Sequence, residues 1–348
     1  MRLGREEPTL PSRPWIGAAL LLFSLAAAGL VRRQSARATG EARRRISGRS
    51  ALIATSYGAL EYAVAGEGRP LLMVHGTGGG FDQGLLFGDR LSSRGHAVVA
   101  PSRFGYLASD FPADPSPAHQ ADAFAALLDH LGLDRILVVG GSAGALSAAA
   151  FALRHPDRCT GLVLLVPAAN VAGRDPVEMR PLPRWAVERL LGSDTLFAAA
   201  VRAIPRRLIG TLLATDPALL DMVEPDERRR AFAILEGLMP IGAKRRGLLN
   251  DARLSGAPTD LDFARIAVPT LILSVEDDRF GTADTARRIA ALLPQARLVI
   301  YPRGGHVWLG HDADVAAEID AFVAGLSASA PIRPGAGRLT PSPVSDNG

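Results

Sequence analysis

Cysteine and lysine are almost absent from this chain. Cys159 is the single cysteine and Lys244 the single lysine among 348 residues. One cysteine excludes an internal disulfide and leaves the redox compartment undetermined. It stands just before an apolar run and reads as a small buried hydrophobe. All the other basic side chains apart from histidine are arginine, a pattern of base bias in the coding sequence rather than of phosphate binding. No G-x-x-x-x-G-K occurs, and Phe81 stands where a G-x-G-x-x-G beginning at Gly76 needs its third glycine, so no nucleotide cofactor is expected. There is no H-E-x-x-H and no Cys/His cluster, hence no expected metal site. Internal repeats are also missing. Nor does the body of the chain carry positive charge. Residues 1–50 hold ten arginines and three glutamates, net +7, against +4 for the whole chain, which leaves residues 51–348 at net −3. A nucleic-acid partner is not expected, because such a body should show a basic face of its own.

Apolar residues make up 48% of the chain, enough for a sizeable core, and the length suits one large domain with an insertion or two domains. The N-terminal arm, residues 1–49, contains seventeen uncharged residues from Trp15 to Val31. That is the short end of a membrane-spanning helix, where about 17–25 residues are expected. The rival is a secretory signal cleaved after Ala26-Ala27-Ala28, which would make the domain secreted. Arg32 and Arg33 follow at once and favour an uncleaved anchor. Basic residues are more numerous after the apolar run than before it, so the domain that follows is expected on the cytoplasmic side. The arginines at 32–49 would also suit anionic headgroups.

From residue 50 onward, short apolar runs alternate with helical patterns, the rhythm of a mostly parallel sheet flanked by helices. Residues 51–65 read as a hairpin about Gly58. Strands are expected at Leu71–Val74, Ala97–Ala100, Ile136–Val139 and Gly161–Val166. Between them come a short helix ending near Arg94, an amphipathic helix from Pro117 to Leu131 closed by Gly132, and an alanine-rich helix ending at His155. From 168 to 265 the alternation stops. Helices are expected there at Trp185–Leu191, Thr195–Leu213 and Glu227–Leu249, an inserted cap over residues 50–167 and 266–326. Trp185, Phe197, Met222, Phe232 and Met239 are candidates for a pocket roof or, more simply, for helix-packing core. The rhythm resumes with a strand at Pro269–Val275, a helix at Thr282–Leu293, a strand at Arg297–Tyr301 and a helix at Asp312–Leu326. Residues 327–348, rich in Ser, Pro and Gly, read as a disordered tail.

The stretch Ile136–Ala150, ILVVGGSAGALSAAA, carries the chemistry. A strand turning sharply into a helix around G-x-S-x-G is a nucleophile elbow. Bulky residues at Gly140 or Gly144 would clash with the adjoining strand or helix, and the turn lifts the Ser142 hydroxyl above the sheet edge. A nucleophilic serine needs a base and the base an orienting acid, supplied on parallel sheets by loops at strand carboxyl ends. Two such loops follow the cap, Glu276-Asp277-Asp278 and Arg303-Gly304-Gly305-His306. Of the other histidines, His75 reads as a loop-stabilising residue, His155 as a helix end and His311 as the start of the last helix. His96, His119 and His130 read as surface positions.

The order Ser142, Asp278, His306 resembles that of the α/β-hydrolase superfamily, over about residues 51 to 326. The resemblance implies an α/β-hydrolase fold with an inserted helical cap. It aligns Asp278 with the family's acid in a G-x-x-D-like pattern in which Ser274 replaces the glycine, with Asp277 as the alternative. It matches Gly304-Gly305-His306 to the family's histidine turn. His75-Gly76-Thr77 resembles the oxyanion loop, so the amides of Thr77 and Ala143 would form the oxyanion hole. The implied activity is hydrolysis of an ester or lactone of a small apolar acyl substrate. The same three residues also serve C–C bond hydrolases, aminopeptidases and acyltransferases, and a non-catalytic ligand-binding member is the reading from another class. The oligomeric state is left open.

Overall fold

Residues 14–173 and 189–329 are described in the computed structural model of the chain, with side chains from residue 29 to 173 and 189 to 326. The expectations for Trp185 and for a tail beyond residue 329 lie outside them. Buried and exposed positions alternate along β1 (Ala51–Thr55), as one solvated face requires. It pairs antiparallel with β2 (Gly58–Ala65). Gly58 turns the hairpin at φ 100°, and a Cβ there would lie 2.6 Å from Asp110 Oδ2. The remaining strands are β3 (Arg69–Val74), β4 (His96–Pro101), β5 (Ile136–Gly141), β6 (Cys159–Leu165), β7 (Thr270–Val275) and β8 (Arg297–Tyr301). The sheet order is β1-β2-β4-β3-β5-β6-β7-β8, antiparallel up to the β2–β4 pair and parallel beyond it.

Parallel strands need crossovers, and the crossovers cover both faces. Alternate residues of the central strands divide accordingly. Leu72, Val138, Leu162 and Ile272 face α4 (Pro117–His130), α5 (Gly144–Arg154) and α10 (Thr282–Leu292). Leu71, Val139, Val163 and Leu271 face α11 (Asp312–Ser329) and the short α3 (Asp89–Ser92), which follows α2 (Phe81–Phe87). Each such fully buried side chain contributes roughly 1.5–3 kcal/mol relative to exposure. Local signals set the helix ends. Ser116 caps α4 by accepting from the His119 N–H at 3.4 Å, Pro117 opens the helix, and Gly132 leaves it at φ 64°.

Between β6 and β7 the described residues form helices and irregular segments without a strand. The long helices expected there are broken. Pro205 divides Thr195–Leu213 into α6 (Asp194–Ala203) and α7 (Pro205–Leu212), since proline has no N–H to donate and clashes with the preceding turn. Gly237 and Pro240 divide the next one into α8 (Pro225–Glu236) and α9 (Arg245–Gly256). Of Trp185–Leu191, residues 189–191 are described, and they are helical. Met222 is exposed, whereas Phe232 and Met239 pack within the cap. Phe197 alone of the four described roof candidates lines the cavity.

One further expectation needs correcting. His96 is buried, not superficial, with Nε2 at 2.8 Å from Asp320 Oδ1 on α11. Within the N-terminal arm, α1 (Pro14–Ile46) is one helix whose second half packs on the cap. Ser35 and Ala42 are buried there, Arg43 pairs with Asp194 at 3.4 Å, and Arg45 Nη2 donates to the carbonyls of Glu236 (3.0 Å) and Met239 (3.3 Å). Arg43 and Arg45 thus reach the cap from the end of α1. Among the described residues no helix is long and apolar enough to cross a membrane. Cys159 is fully buried at the start of β6, where loss of hydration pushes its thiol up to about 12.

Candidate active site

The elbow geometry follows from its glycines. Ser142 sits at φ 53°, a left-handed conformation uncommon outside glycine, between β5 and α5. A Cβ on Gly140 would lie 2.6 Å from the Ala148 Cβ, and one on Gly144 would lie 2.4 Å from the His75 carbonyl oxygen. Side chains at either position would therefore prise the strand, the helix and the loop after β3 apart.

Three strand-end loops meet above this turn. His306 lies in the turn Gly305–Val307 after β8. Its Nε2 is 2.8 Å from Ser142 Oγ and its Nδ1 is 2.8 Å from Asp278 Oδ2. The Asp278 carboxylate is fully shielded from solvent. Because the carboxylate only accepts, Nδ1 carries the ring proton and Nε2 presents its lone pair to the serine. The Phe280 ring stands edge-on to the imidazole, centroids 4.7 Å apart, and walls it from the side. Asp277 points elsewhere. Its Oδ1 accepts the Gly305 N–H at 2.7 Å and so fixes the turn that carries the histidine.

Thr77 lies on the cavity wall and Ala143 is buried at the start of α5. Among the described residues neither backbone N–H has a protein acceptor. Gly76 passes against the elbow so closely that a Cβ on it would be 3.0 Å from Ser142 Cβ. His75 supports this loop from below. Its Nε2 accepts the Arg103 N–H at 2.9 Å, which leaves the proton on Nδ1, donated to the Gly76 carbonyl at 2.7 Å. Burial first, and then the neighbouring Arg103 cation, hold the His75 ring well below its ordinary pKa.

Two supporting residues, Thr282 and Gln83, carried no signal of their own in the sequence. Thr282, on α10, donates its hydroxyl to Asp278 Oδ2, and the Phe280 N–H donates to Oδ1 at 2.9 Å. Ser274, which stands where the family pattern has glycine, bonds the Thr282 hydroxyl at 3.0 Å. Gln83, buried on α2, accepts the Gly76 N–H at 2.9 Å. An i, i+4 offset from Asp278 points to Thr282 once the acid is known. Gln83 has no comparable marker.

A cavity of about 400 Å³ opens on Ser142. Its roof is aliphatic and aromatic, with Leu190, Phe197, Leu213, Ile234, Leu238 and Leu248 from the cap. Asp251 is the one acidic lining residue, and no arginine or lysine lines it among the described residues. No group of three or more potential metal ligands occurs among them either.

A family model described as the alpha/beta hydrolase fold matches residues 69–310. The chain belongs to the α/β-hydrolase fold family. Among curated relatives, this hydrolase is 30% identical over 259 residues to a 2-hydroxy-6-oxononadienedioate/2-hydroxy-6-oxononatrienedioate hydrolase of Paraburkholderia xenovorans, covering 71% of this chain and 84% of that one. It is 29% identical over 248 residues to a 2-hydroxymuconate semialdehyde hydrolase of Pseudomonas putida, covering 69% and 82%. Among solved structures it resembles an alpha/beta hydrolase fold protein from Nakamurella multipartita, with TM-score 0.66 and 25% identity over 78% of this chain and 98% of the other.

Proposed function

We propose that this hydrolase cleaves an ester or lactone of an uncharged, apolar acyl substrate through a Ser142–His306–Asp278 triad. The observation that carries the reading is the His306 ring, 2.8 Å from the Ser142 hydroxyl on one side and 2.8 Å from the Asp278 carboxylate on the other. His306 Nε2 takes the serine proton as Oγ attacks the carbonyl carbon. Asp278 holds the reactive tautomer and stabilises the imidazolium that forms. The N–H groups of Thr77 and Ala143 receive the oxyanion, each such donor being worth roughly 3 kcal/mol in related chemistry. His306 then protonates the leaving oxygen, and a water deprotonated by the same ring releases the acid.

The curated relatives favour a second reading, hydrolysis of a C–C bond in an acidic dienoate or dienedioate. The cavity wall speaks for the first. A substrate carboxylate would enter an apolar chamber with no free cationic lining residue among the described ones, its one acid, Asp251, being already paired with Arg103. Ser142→Ala should abolish both turnover of short esters and covalent labelling by a serine-reactive phosphonate. Asp278→Asn should lower kcat by about 10⁴-fold while leaving the fold intact. Continued labelling of the Ser142→Ala protein at another residue would remove the nucleophile from this account.

A further inference from the structure

Beside the elbow lies a buried polar cluster that the triad does not use. Arg103, in the loop after β4, forks onto Asp251 of cap helix α9, with Nη1 to Oδ1 at 2.7 Å and Nη2 to Oδ2 at 2.6 Å. The Tyr106 hydroxyl donates to Asp251 Oδ2 at 2.5 Å and accepts the Gly78 N–H at 3.1 Å. Arg103 Nε also donates to the His75 carbonyl at 3.0 Å. All three side chains are at least nine-tenths buried. A hydroxyl has one proton to give, so Tyr106 can serve Asp251 and Gly78 together only in this orientation.

Thr77 therefore stands between two pinned peptides. On one side the Gly76 N–H is held by Gln83, within the core of the domain. On the other the Gly78 N–H is held by Tyr106, whose hydroxyl is set by a cap residue. The cap meets Tyr106 without clearance, since a Cβ on Gly247 of α9 would fall 2.2 Å from the tyrosine ring. Backbone bonds close the same seam, from the Gly247 N–H to the Gly105 carbonyl at 3.0 Å and from the Leu107 N–H to the Ala243 carbonyl at 2.9 Å.

We propose that Tyr106 is a positioning residue that transmits the seating of α9, through Asp251, to the orientation of the Thr77 amide. The oxyanion hole is then complete only while this part of the cap is in place. The inference rests on the acyl-transfer reading above, with Thr77 as an oxyanion donor. Tyr106→Phe keeps the ring and its packing and removes both hydrogen bonds. Steady-state hydrolysis of a short p-nitrophenyl ester should show kcat reduced by about tenfold to a hundredfold, below the ~10²–10³ for deletion of a donor. KM should stay within about twofold. Affinity for a trifluoromethyl ketone, which forms a tetrahedral adduct, should weaken by the same factor as kcat, while binding of the corresponding non-covalent secondary alcohol should not change. Rates are expressed per serine titrated with the phosphonate, so loss of folded protein does not enter. Gly247→Ala, which forces α9 off the ring, should give the same split and serves if Tyr106→Phe does not fold. Unchanged kcat per titrated serine, or equal weakening of ketone and alcohol, overturns the proposal. A wild-type protein that forms no ketone adduct at Ser142 overturns the acyl-transfer reading and this inference with it. An adduct in the wild type with an unaffected Tyr106→Phe overturns only this inference.

Discussion

Two adjacent aspartates show how much depends on a single residue. Asp277 and Asp278 follow the same strand and have the same chemistry, yet one holds a backbone N–H of the histidine turn and the other faces the imidazole. Successive loop side chains diverge, so both cannot meet the same ring. His75 offers a test at this scale. Its pKa is depressed in the folded state by burial and by Arg103, and it accepts a backbone N–H that a protonated ring could not accept. Depression means that the unfolded chain binds the extra proton more readily. The stability His75 contributes is thus fully present above the unfolded value near 6.5 and is lost as pH falls below it. Urea denaturation of the wild type should show a midpoint that declines from pH 7.5 to pH 5. Replacement His75→Asn should lower stability at pH 7.5 and flatten that decline. A parallel decline in both proteins would assign the acid sensitivity to other groups.

Among the elements, those with strong local signals were legible and those without were not. The expected strand Arg297–Tyr301 and helix Pro117–Leu131 coincide with β8 and α4 to within a residue. The cap helices were expected too long because apolar periodicity continued across Pro205 and Gly237, where backbone chemistry interrupts the hydrogen-bond ladder. For α1 the composition pointed to a membrane anchor or a signal, and it did not reveal that Ala38 and Ala42 pack against the apolar cluster of the cap. Nothing in a run of alanine and arginine specifies the surface it meets. Removal of residues 1–46 should uncover α6 and lower its amide protection in hydrogen exchange, with β5 keeping the protection of the wild type. Equal protection of α6 in both proteins would reduce the α1 contact to a superficial one.

At the scale of the whole molecule, buried charge joins the cap to the sheet domain. Its second half is tied to the sheet domain by Arg103–Asp251 and by Lys244, whose ammonium is fully buried and lies 2.9 Å from Asp82 Oδ2. Removing one partner of a buried pair commonly costs about 3–5 kcal/mol, because the other charge is left buried and unpaired. Under the proposed ester or lactone reading, the aliphatic roof above Ser142 sets substrate preference. A neutral short-chain ester should have a kcat/KM at least about tenfold above that of an analogue of equal length ending in a carboxylate. The difference corresponds to ~1.4 kcal/mol, a small share of the cost of taking a carboxylate from water without a partner. A preference for the carboxylate would instead favour the C–C hydrolase reading.

The sequence by itself determined the parts governed by local chemistry. These are the alternation of buried strands and helices, the glycines around Ser142, and the order of serine, aspartate and histidine on strand-end loops. The first two depend on residues within a few positions of one another, and the third was legible because the order of the motifs resembles that of a known family. Only the tertiary structure decided what depends on distant segments meeting. It selected Asp278 over Asp277 at the histidine, closed Asp251 onto Arg103 and Tyr106 across nearly 150 residues, and laid α1 on the cap. Contacts of that kind leave no periodicity in the chain, because their geometry exists only once the sheet has brought their loops to one edge.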